Sequence, residues 1–230
     1  MTRSGTRNGQ VTTDRATDGG TADVLADVAI VGGGLVGGTL AVLLANAGFS
    51  VILVDRADPA AGLDAGFDGR ASAIALATHR VLVAAGLWDH LGPRSSPIRD
   101  IRVADAGSLL FLHYDHSLVG DAPFGYMIEN RHLRRALYDA QRAARNLTVV
   151  APAGIAAMDL DSADARLTLA DGRTLGARLI VGADGRTSRT RTWAGIRTTG
   201  WDYGQTGIVC TVDHERPHGF VAHEHFLAAG

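Results

Sequence analysis

Two short apolar runs, separated by a run of small residues, form the most regular pattern in the chain. Residues 28–31 and 50–54 are rich in Val, Ile and Leu, which is typical of strands buried on both faces of a parallel sheet. Residues 35–47 between them are mostly small or aliphatic and carry no charge, so they predict a buried helix that ends at Gly48. The pattern therefore predicts a strand, a helix and a second parallel strand.

Three glycines between the first strand and the helix have the spacing G-x-G-x-x-G. Gly32 permits a tight turn, Gly34 lets a pyrophosphate approach the backbone, and Gly37 lets the helix pack closely on the strand. The helix would direct its first amides, those of Leu35 and Val36, at the phosphates. This run predicts a dinucleotide-binding turn.

Asp55 follows the second predicted strand directly. A carboxylate at this place accepts hydrogen bonds from the hydroxyls of an adenosine ribose, and its charge disfavours a 2′-phosphate. We include the next residue, Arg56, among the cofactor-binding residues. The alternative is a buried strand–helix–strand unit that binds no ligand.

Beyond this unit the apolar pattern predicts shorter elements. Helices are predicted over residues 74–85 and, with a basic outer face, over residues 131–145. Short strands are predicted over residues 97–103, 109–114, 126–129, 147–150, 155–160, 166–170 and 178–181. Residues 206–212 and 220–226 alternate like strands of a different, more antiparallel sheet.

A second carboxylate bracketed by glycines lies at the end of the predicted buried strand 178–181. Gly182 and Gly185 flank Asp184 in the sequence, and ligands bind at the carboxyl ends of strands in open α/β sheets. Ser188 or Asp184 is placed to cap a short helix. Ser188 is not predicted to be a nucleophile, because the run lacks the G-x-S-x-G pattern.

Composition limits the function classes. With 22 Lys+Arg and 24 Asp+Glu residues, the chain has no bulk charge that would predict a nucleic-acid partner. Cys210 is the single cysteine, so no intrachain disulfide can form, and we expect a buried, inert thiol in a strand. No transmembrane helix and no secretory signal are predicted, and residues 1–22 are expected to be a disordered leader.

Four histidines late in the chain offer a metal-binding alternative. His214 and His218 have a spacing that metal ligands use, and His223 and His225 would share one face of a strand. No cysteines or carboxylates complete a ligand set around them. We therefore predict no metal site.

The glycine turn with Asp55, the run Asp68-Gly69-Arg70 and residues 182–191 together resemble the single-component FAD-dependent aromatic hydroxylases. Within that class the chain is most similar to the ubiquinone-biosynthesis hydroxylases, which residues 200–205 and 214–219 also resemble. We therefore predict an α/β fold in which a Rossmann-like FAD-binding domain is interleaved with part of a β-rich substrate domain. The predicted division is a leader (1–26), FAD-binding domain (27–96 and 119–195), substrate-domain hairpin (97–118) and incomplete substrate-domain strands (196–230).

The resemblance also implies a cofactor, a reaction and a place in the cell. FAD would be held by the glycine turn with Asp55, by Arg70 and Arg131 beside the flavin, and by Asp184 and Gly185. NAD(P)H would be the co-substrate, and oxygen would hydroxylate a polyprenylated phenol in ubiquinone biosynthesis. The protein would be cytoplasmic, with a peripheral association with the inner membrane or with a quinone-biosynthesis complex. On residue chemistry alone, Arg70 is equally well explained as a solvated surface arginine.

Members of this family carry a third fingerprint, a Gly-Asp pair followed by a proline and a glycine-rich turn. No such run follows Val212, so the sequence resembles the N-terminal part of such an enzyme. Two alternatives stay open: a hydroxylase of a small soluble phenol, and a non-catalytic FAD- or nucleotide-binding fragment.

Overall fold

The computed structural model describes residues 24–63, 69–105, 107–161 and 164–227. Residues 1–23 of the predicted leader and Asp68 of the Asp68-Gly69-Arg70 run lie outside these ranges. The prediction that residues 24–26 belong to the leader is wrong. They form the start of the first strand, because their backbone pairs in parallel with residues 175–177.

The described residues form strands and helices that follow one another in short segments. In chain order these are β1 (Val24–Val31), α1 (Leu35–Asn46), β2 (Val51–Val54), β3 (Ala71–Ala75), α2 (Leu76–Ala84), α3 (Trp88–Leu91), β4 (Ser96–Ile98), β5 (Asp100–Asp105), β6 (Phe111–Asp115), β7 (Gly125–Glu129), α4 (Asn130–Ala143), β8 (Leu147–Val150), β9 (Ile155–Asp159), β10 (Ala165–Leu169), β11 (Thr174–Gly182), α5 (Arg189–Trp193) and β12 (Val221–Phe226). Two 3₁₀-helices, Gly92–Arg94 and His116–Leu118, follow α3 and β6.

A six-stranded sheet carries the predicted glycine turn. Its order is β8-β2-β1-β11-β10-β9, in which the first four strands are parallel and the last two antiparallel. Alternate residues of β1 enter two apolar clusters: Val28 and Ile30 pack with α1, whereas Ala29 and Val31 pack with β10 and β11. This two-sided burial explains the continuous apolar run, and the predicted α/β class is confirmed.

Two smaller sheets lie outside the main sheet, with the orders β3-β7-β4 and β12-β5-β6. The predicted hairpin of residues 97–118 is confirmed for β5 and β6, which pair antiparallel, whereas Pro97 and Ile98 at its start belong to β4 and pair with β7. β12, which is predicted to belong to the same β-rich domain, joins this sheet beside β5, and the domain boundaries themselves stay predictions. Helix α4 packs Leu133, Ala136 and Leu137 against α1, α2 and α3 in one apolar cluster.

Four sequence predictions about elements are wrong. Ile74 belongs to β3 and not to a helix, because residues 71–75 pair with β7 and the helix begins only at Leu76. Residues 178–181 are only partly buried: β10 pairs with β11 no further than Ala177, Arg178 and Leu179 are exposed, and Ile180 and Val181 are half-buried. Residues 206–212 form no strand, so Cys210 is exposed. β12 pairs parallel, not antiparallel, with its neighbour β5. Each of these predictions rests on a local apolar pattern, which does not show which strand pairs with the segment.

Candidate cofactor-binding site

The glycine turn joins the end of β1 to the start of α1 through close backbone contacts. Gly32 has a φ of +106°, and a Cβ placed on it would lie 2.3 Å from the carbonyl O of Ala183. A Cβ on Gly37 would lie 2.0 Å from the carbonyl O of Gly32 and 2.9 Å from the Cβ of Ala183. Both positions therefore require glycine for packing, as the spacing predicts for the turn and for the helix contact.

Gly34 differs from these two glycines because a Cβ on it would meet no atom within 4 Å. It is the N-cap of α1, no side chain caps the helix, and no acidic residue lies in its first turn. The positive end of the helix dipole therefore faces open space, with Leu35 and Val36 as its first residues. This arrangement fits a bound pyrophosphate.

Asp55 lies beside this turn at the end of β2. Its Oδ2 accepts a hydrogen bond from the backbone N–H of Gly33 (2.5 Å), and its Oδ1 accepts one from the N–H of Ala57 (2.7 Å). Each carboxylate oxygen has a second lone pair, so both ribose hydroxyls of an adenosine could donate to it. Asp55 thus fixes the glycine turn, a role that the sequence pattern does not predict, and its contact with a ribose stays a prediction.

The carboxylate of Asp184 is saturated by its own segment. Its Oδ1 accepts hydrogen bonds from the hydroxyls of Ser188 (2.5 Å) and Thr190 (2.6 Å), and its Oδ2 accepts from the N–H groups of Arg189 (2.8 Å) and Thr190 (3.1 Å). Partial burial raises the pKa of Asp184, but the hydrogen bonds from Ser188 and Thr190 outweigh it and lower the pKa to about 2. Ser188 also accepts from the N–H of Arg191, so the predicted capping of α5 is confirmed.

The two glycines around Asp184 have different surroundings. A Cβ on Gly182 would lie 2.3 Å from Oγ1 of Thr190, so this glycine is required by the packing of its own segment. Gly185 has a φ of +84° and open space around it. The segment can therefore offer a ligand its backbone at Gly185, while the Asp184 carboxylate holds α5 in place.

The two glycine-rich runs meet at one cleft of about 540 Å³. They meet because β1 and β11 are adjacent parallel strands, and the N–H of Ala183 donates to the carbonyl O of Val31 (2.7 Å). The predicted site residues that line this cleft are Gly32, Gly34, Asp55, Arg56, Asp184 and Gly185. Leu35 lines a second cleft of about 210 Å³, on the α4 side of the turn, together with Asp55.

Several residues that line the larger cleft are not among the predicted site residues, and three parts of its wall stand out: residues 153–155, Arg189 and Trp193. Residues 153–155 follow β8, which is the parallel neighbour of β2, so the predicted parallel strand 147–150 was the signal that could have found them. The guanidinium of Arg189 lies 4.7 Å from the ring centroid of Trp193 and donates to the carbonyl O of Ile155 (3.2 Å). This stacked pair forms one wall of the cleft, and no sequence motif marks it.

Arg70 and Arg131 lie near each other but are not among the residues that line either cleft. The N–H of Asn130 donates to the carbonyl O of Arg70 (3.0 Å), which joins the two segments. Nε of Arg131 donates to Oε2 of Glu129 (2.5 Å). Their predicted contact with the flavin stays a prediction.

The histidines do not come together as a ligand set. Among the described residues, no group of three or more His, Cys, Asp or Glu side chains could hold a metal ion. His223 and His225 do share one face of β12, where their rings stack at 6.1 Å. His214 and His218 contact each other edge to face at 5.6 Å.

Within the same described ranges, no helix has both the length and the apolar character to cross a bilayer.

Comparison with known proteins gives a family and relatives. Residues 25–228 match the family model described as FAD binding domain. The chain is 55% identical to ubiquinone hydroxylase UbiL of Rhodospirillum rubrum, over 92% of this chain and 49% of that protein. It is 34% identical to 3-demethoxyubiquinol 3-hydroxylase of Escherichia coli, over 89% and 52%. The chain thus spans about half the length of the curated relatives it matches.

A solved structure has the same architecture. PqsL, a probable FAD-dependent monooxygenase of Pseudomonas aeruginosa, superposes with a TM-score of 0.66 at 28% identity, covering 78% of this chain and 48% of that one. PqsL has also been solved in complex with 2-aminobenzoylacetate. The resemblance to FAD-dependent ubiquinone hydroxylases that the motifs carry is confirmed.

Proposed function

Because this chain belongs to the FAD-binding domain family, we propose that it is the cofactor-binding part of a monooxygenase that hydroxylates a polyprenylated phenol in ubiquinone biosynthesis. The substrate class is supported by its relatives, a ubiquinone hydroxylase and 3-demethoxyubiquinol 3-hydroxylase. The observation that carries the proposal is the 540 Å³ cleft, in which Gly34, Asp55 and Gly185 face one space. NAD(P)H and oxygen complete the proposed reaction.

The residues of the cleft fit FAD at its ribose and at its pyrophosphate. Asp55 would accept hydrogen bonds from the ribose hydroxyls, the uncapped N-terminus of α1 would bind the pyrophosphate, and Gly34 leaves the space that the pyrophosphate needs. Arg56 lines the same cleft, and its charge would offset that of the phosphates. We propose that Arg70 and Arg131 act beside the flavin end.

FAD, when bound, supplies the redox chemistry and the activation of oxygen. The residues of this chain contribute binding, orientation and exclusion of water. Asp184 is not proposed as a proton acceptor, because a carboxyl with a pKa of about 2 is a very weak base and its oxygens are engaged by four donors. Its role is to hold α5, and with it the wall formed by Arg189 and Trp193.

A second candidate function is the hydroxylation of a small soluble aromatic compound. The complex of PqsL with 2-aminobenzoylacetate favours it, since that ligand carries no polyprenyl chain. A polyprenylated substrate would instead partition into the bilayer, and we would then expect a peripheral association of the enzyme with the membrane. A non-catalytic FAD- or nucleotide-binding fragment is the third candidate.

The decisive experiment is to delete the gene and analyse the quinones by liquid chromatography with mass spectrometry. We expect ubiquinone to fall and a precursor lacking one ring oxygen to accumulate. A normal quinone profile would remove the ubiquinone proposal and favour the small-molecule candidate. Titration of the purified chain with FAD, followed by an NAD(P)H oxidation assay, separates these from the third candidate, which binds FAD without oxidising NAD(P)H.

A further inference from the structure

A separate cleft of about 300 Å³ lies on the opposite side of α4 from the glycine turn. Its lining residues are His90, Arg94, His132, Arg135, Ala136 and Asp139. None of them lines the two clefts at the glycine turn. Helix α4 borders cavities on both of its sides. The side chains of one face lie towards the turn, and those of the other face lie towards the 300 Å³ cleft; the first are Arg134, Leu137, Tyr138 and Gln141, and the second are His132, Arg135, Ala136 and Asp139.

The walls of this cleft are anchored in the apolar core. Leu91 lies between the lining residues His90 and Arg94 in the sequence and is 1% exposed. On α4, Leu133 and Ala136 are 6% and 4% exposed and belong to the same apolar cluster as Leu91. Side chains adjacent to such residues start from a fixed backbone, so the cleft does not depend on a loose loop.

The two arginines of the cleft are held by weak local contacts. Nη1 of Arg94 donates to the carbonyl O of His90 (3.1 Å). Nε of Arg135 lies 3.5 Å from Oδ2 of Asp139, and both of these side chains are more than half exposed. An exposed pair of this kind contributes little free energy, so an incoming oxyanion can compete with Asp139 for the guanidinium.

His132 lies beside charged groups of both signs, and its Nε2 is 3.6 Å from Oε2 of Glu129. Burial lowers the pKa of His132, and although Glu129 raises this pKa, Arg131 and Arg94 lower it further. The imidazole is therefore neutral near pH 7 and available as a hydrogen-bond donor. The positive charges that line the cleft are those of Arg94 and Arg135, and Arg94 acts on His132 of α4 from the opposite wall.

We propose that this cleft binds a phosphate-type oxyanion between Arg94 and Arg135, with His132 as a further donor. Two guanidinium groups provide the planar, paired donors that phosphate oxygens accept best. The cleft is large enough for a phosphorylated small molecule or for a phospholipid headgroup, which share this chemistry. The site is distinct from the cofactor cleft and does not rest on the proposed function.

The test is a calorimetric titration of the full chain with inorganic pyrophosphate and, separately, with sulfate. The double variant R94Q/R135Q should bind pyrophosphate about tenfold more weakly. R145Q, which removes an exposed arginine outside the cleft, should bind like the wild type. Asp139→Asn removes the competing carboxylate and should strengthen binding about threefold, an effect that damage to the fold cannot produce.

Sedimentation with vesicles then identifies the source of the phosphate group. Binding to phosphatidic acid vesicles, but not to phosphatidylcholine vesicles, that is lost in R94Q/R135Q assigns the site to a lipid headgroup. Pyrophosphate binding without vesicle binding assigns it to a soluble phosphorylated ligand. The proposal is overturned if R94Q/R135Q binds pyrophosphate as the wild type does, because the oxyanion then binds elsewhere, for example at α1. It is also overturned if the wild type binds neither pyrophosphate nor sulfate.

Discussion

The two glycine-rich runs lie at the carboxyl ends of adjacent parallel strands and look alike in the sequence. They differ in how many of their polar groups remain available to a ligand. At the end of β1, Gly34 faces open space and the N-terminus of α1 has no side-chain cap. At the end of β11, the Asp184 carboxylate accepts from four donors of its own segment, and the side chain of Thr190 occupies the space beside Gly182. The first run is prepared for a ligand, whereas the second mainly stabilises itself and contributes backbone to the cleft.

A glycine next to a carboxylate in the sequence does not by itself identify a ligand contact. Asp55 has two internal donors and keeps acceptor capacity for a ribose, but Asp184 has no comparable capacity left. The two carboxylates therefore differ in whether their acceptor sites are already occupied by donors of the protein itself.

The largest effect is expected from glycines of the same turn. Gly37→Ala places a Cβ 2.0 Å from a carbonyl O, so we expect the free energy of unfolding to fall by about 3 kcal/mol or more. Gly34→Ala has room, and its φ of −65° suits alanine, so stability should change by less than ~0.5 kcal/mol. FAD affinity of Gly34→Ala should nevertheless fall about tenfold, because the methyl occupies the pyrophosphate space. Urea unfolding and FAD fluorescence titration measure the two quantities. Equal stability of both variants would contradict the packing account.

The next largest effect is expected at Asp184. Asp184→Ala removes an acceptor from four donors, so the free energy of unfolding should fall by about 2–4 kcal/mol. Asp184→Asn keeps one oxygen for the backbone N–H groups and should cost only about 1 kcal/mol. FAD affinity, measured well below the melting temperature, should stay near wild type for Asp184→Asn. An Asp184→Ala variant that melts like the wild type but loses FAD would show that the carboxylate serves the ligand and not the segment.

Sequence alone predicted the part of the site that depends on local chemistry. The turn at Gly32, Gly34 and Gly37 and the carboxylate of Asp55 come from one continuous unit, whose strands are apolar on both faces. The predictions that need a partner from elsewhere in the chain were less successful. Ile74 at the end of β3 is predicted as the start of a helix, because the pairing of β3 with β7 is not visible in the sequence. The wall formed by Arg189 and Trp193 depends on how α5 packs against residues 153–155.

A medium effect on FAD is expected at Asp55. Asp55→Ala should weaken FAD binding by about 1.5–3 kcal/mol for each ribose hydrogen bond lost. Because Gly33 also loses its acceptor, stability should fall by about 1 kcal/mol, much less than for Asp184→Ala. Gel filtration followed by a flavin-to-protein absorbance ratio gives the first value. A ratio unchanged from wild type would remove Asp55 from the site.

A smaller effect is expected for the arginines that the family resemblance places beside the flavin. Arg70→Ala and Arg131→Ala should each lower FAD affinity by about 1 kcal/mol, because each would lose a contact with a charged cofactor. Arg142→Ala is the control, since this exposed arginine of α4 contacts Tyr138 and not the cleft. Equal losses from all three in a fluorescence titration would indicate general surface charge in place of a site.

The smallest effect, and the most specific to the comparison, is a pH dependence that should come from Asp184. Its folded pKa of about 2 lies below the ~3.9 of an unfolded aspartate, so the unfolded chain binds its proton first as the pH falls. The stabilisation is therefore fully present above about pH 4 and is lost as the pH falls towards 2. Asp184→Asn should consequently lose less stability than the wild type between pH 4 and pH 2 in urea unfolding. Gly34→Ala changes no titrating group and should keep the wild-type dependence. If Asp184→Asn also keeps the wild-type pH dependence, the hydrogen bonds to this carboxylate do not stabilise its charged form. The two glycine-rich runs would then not differ in the way that their hydrogen bonds indicate.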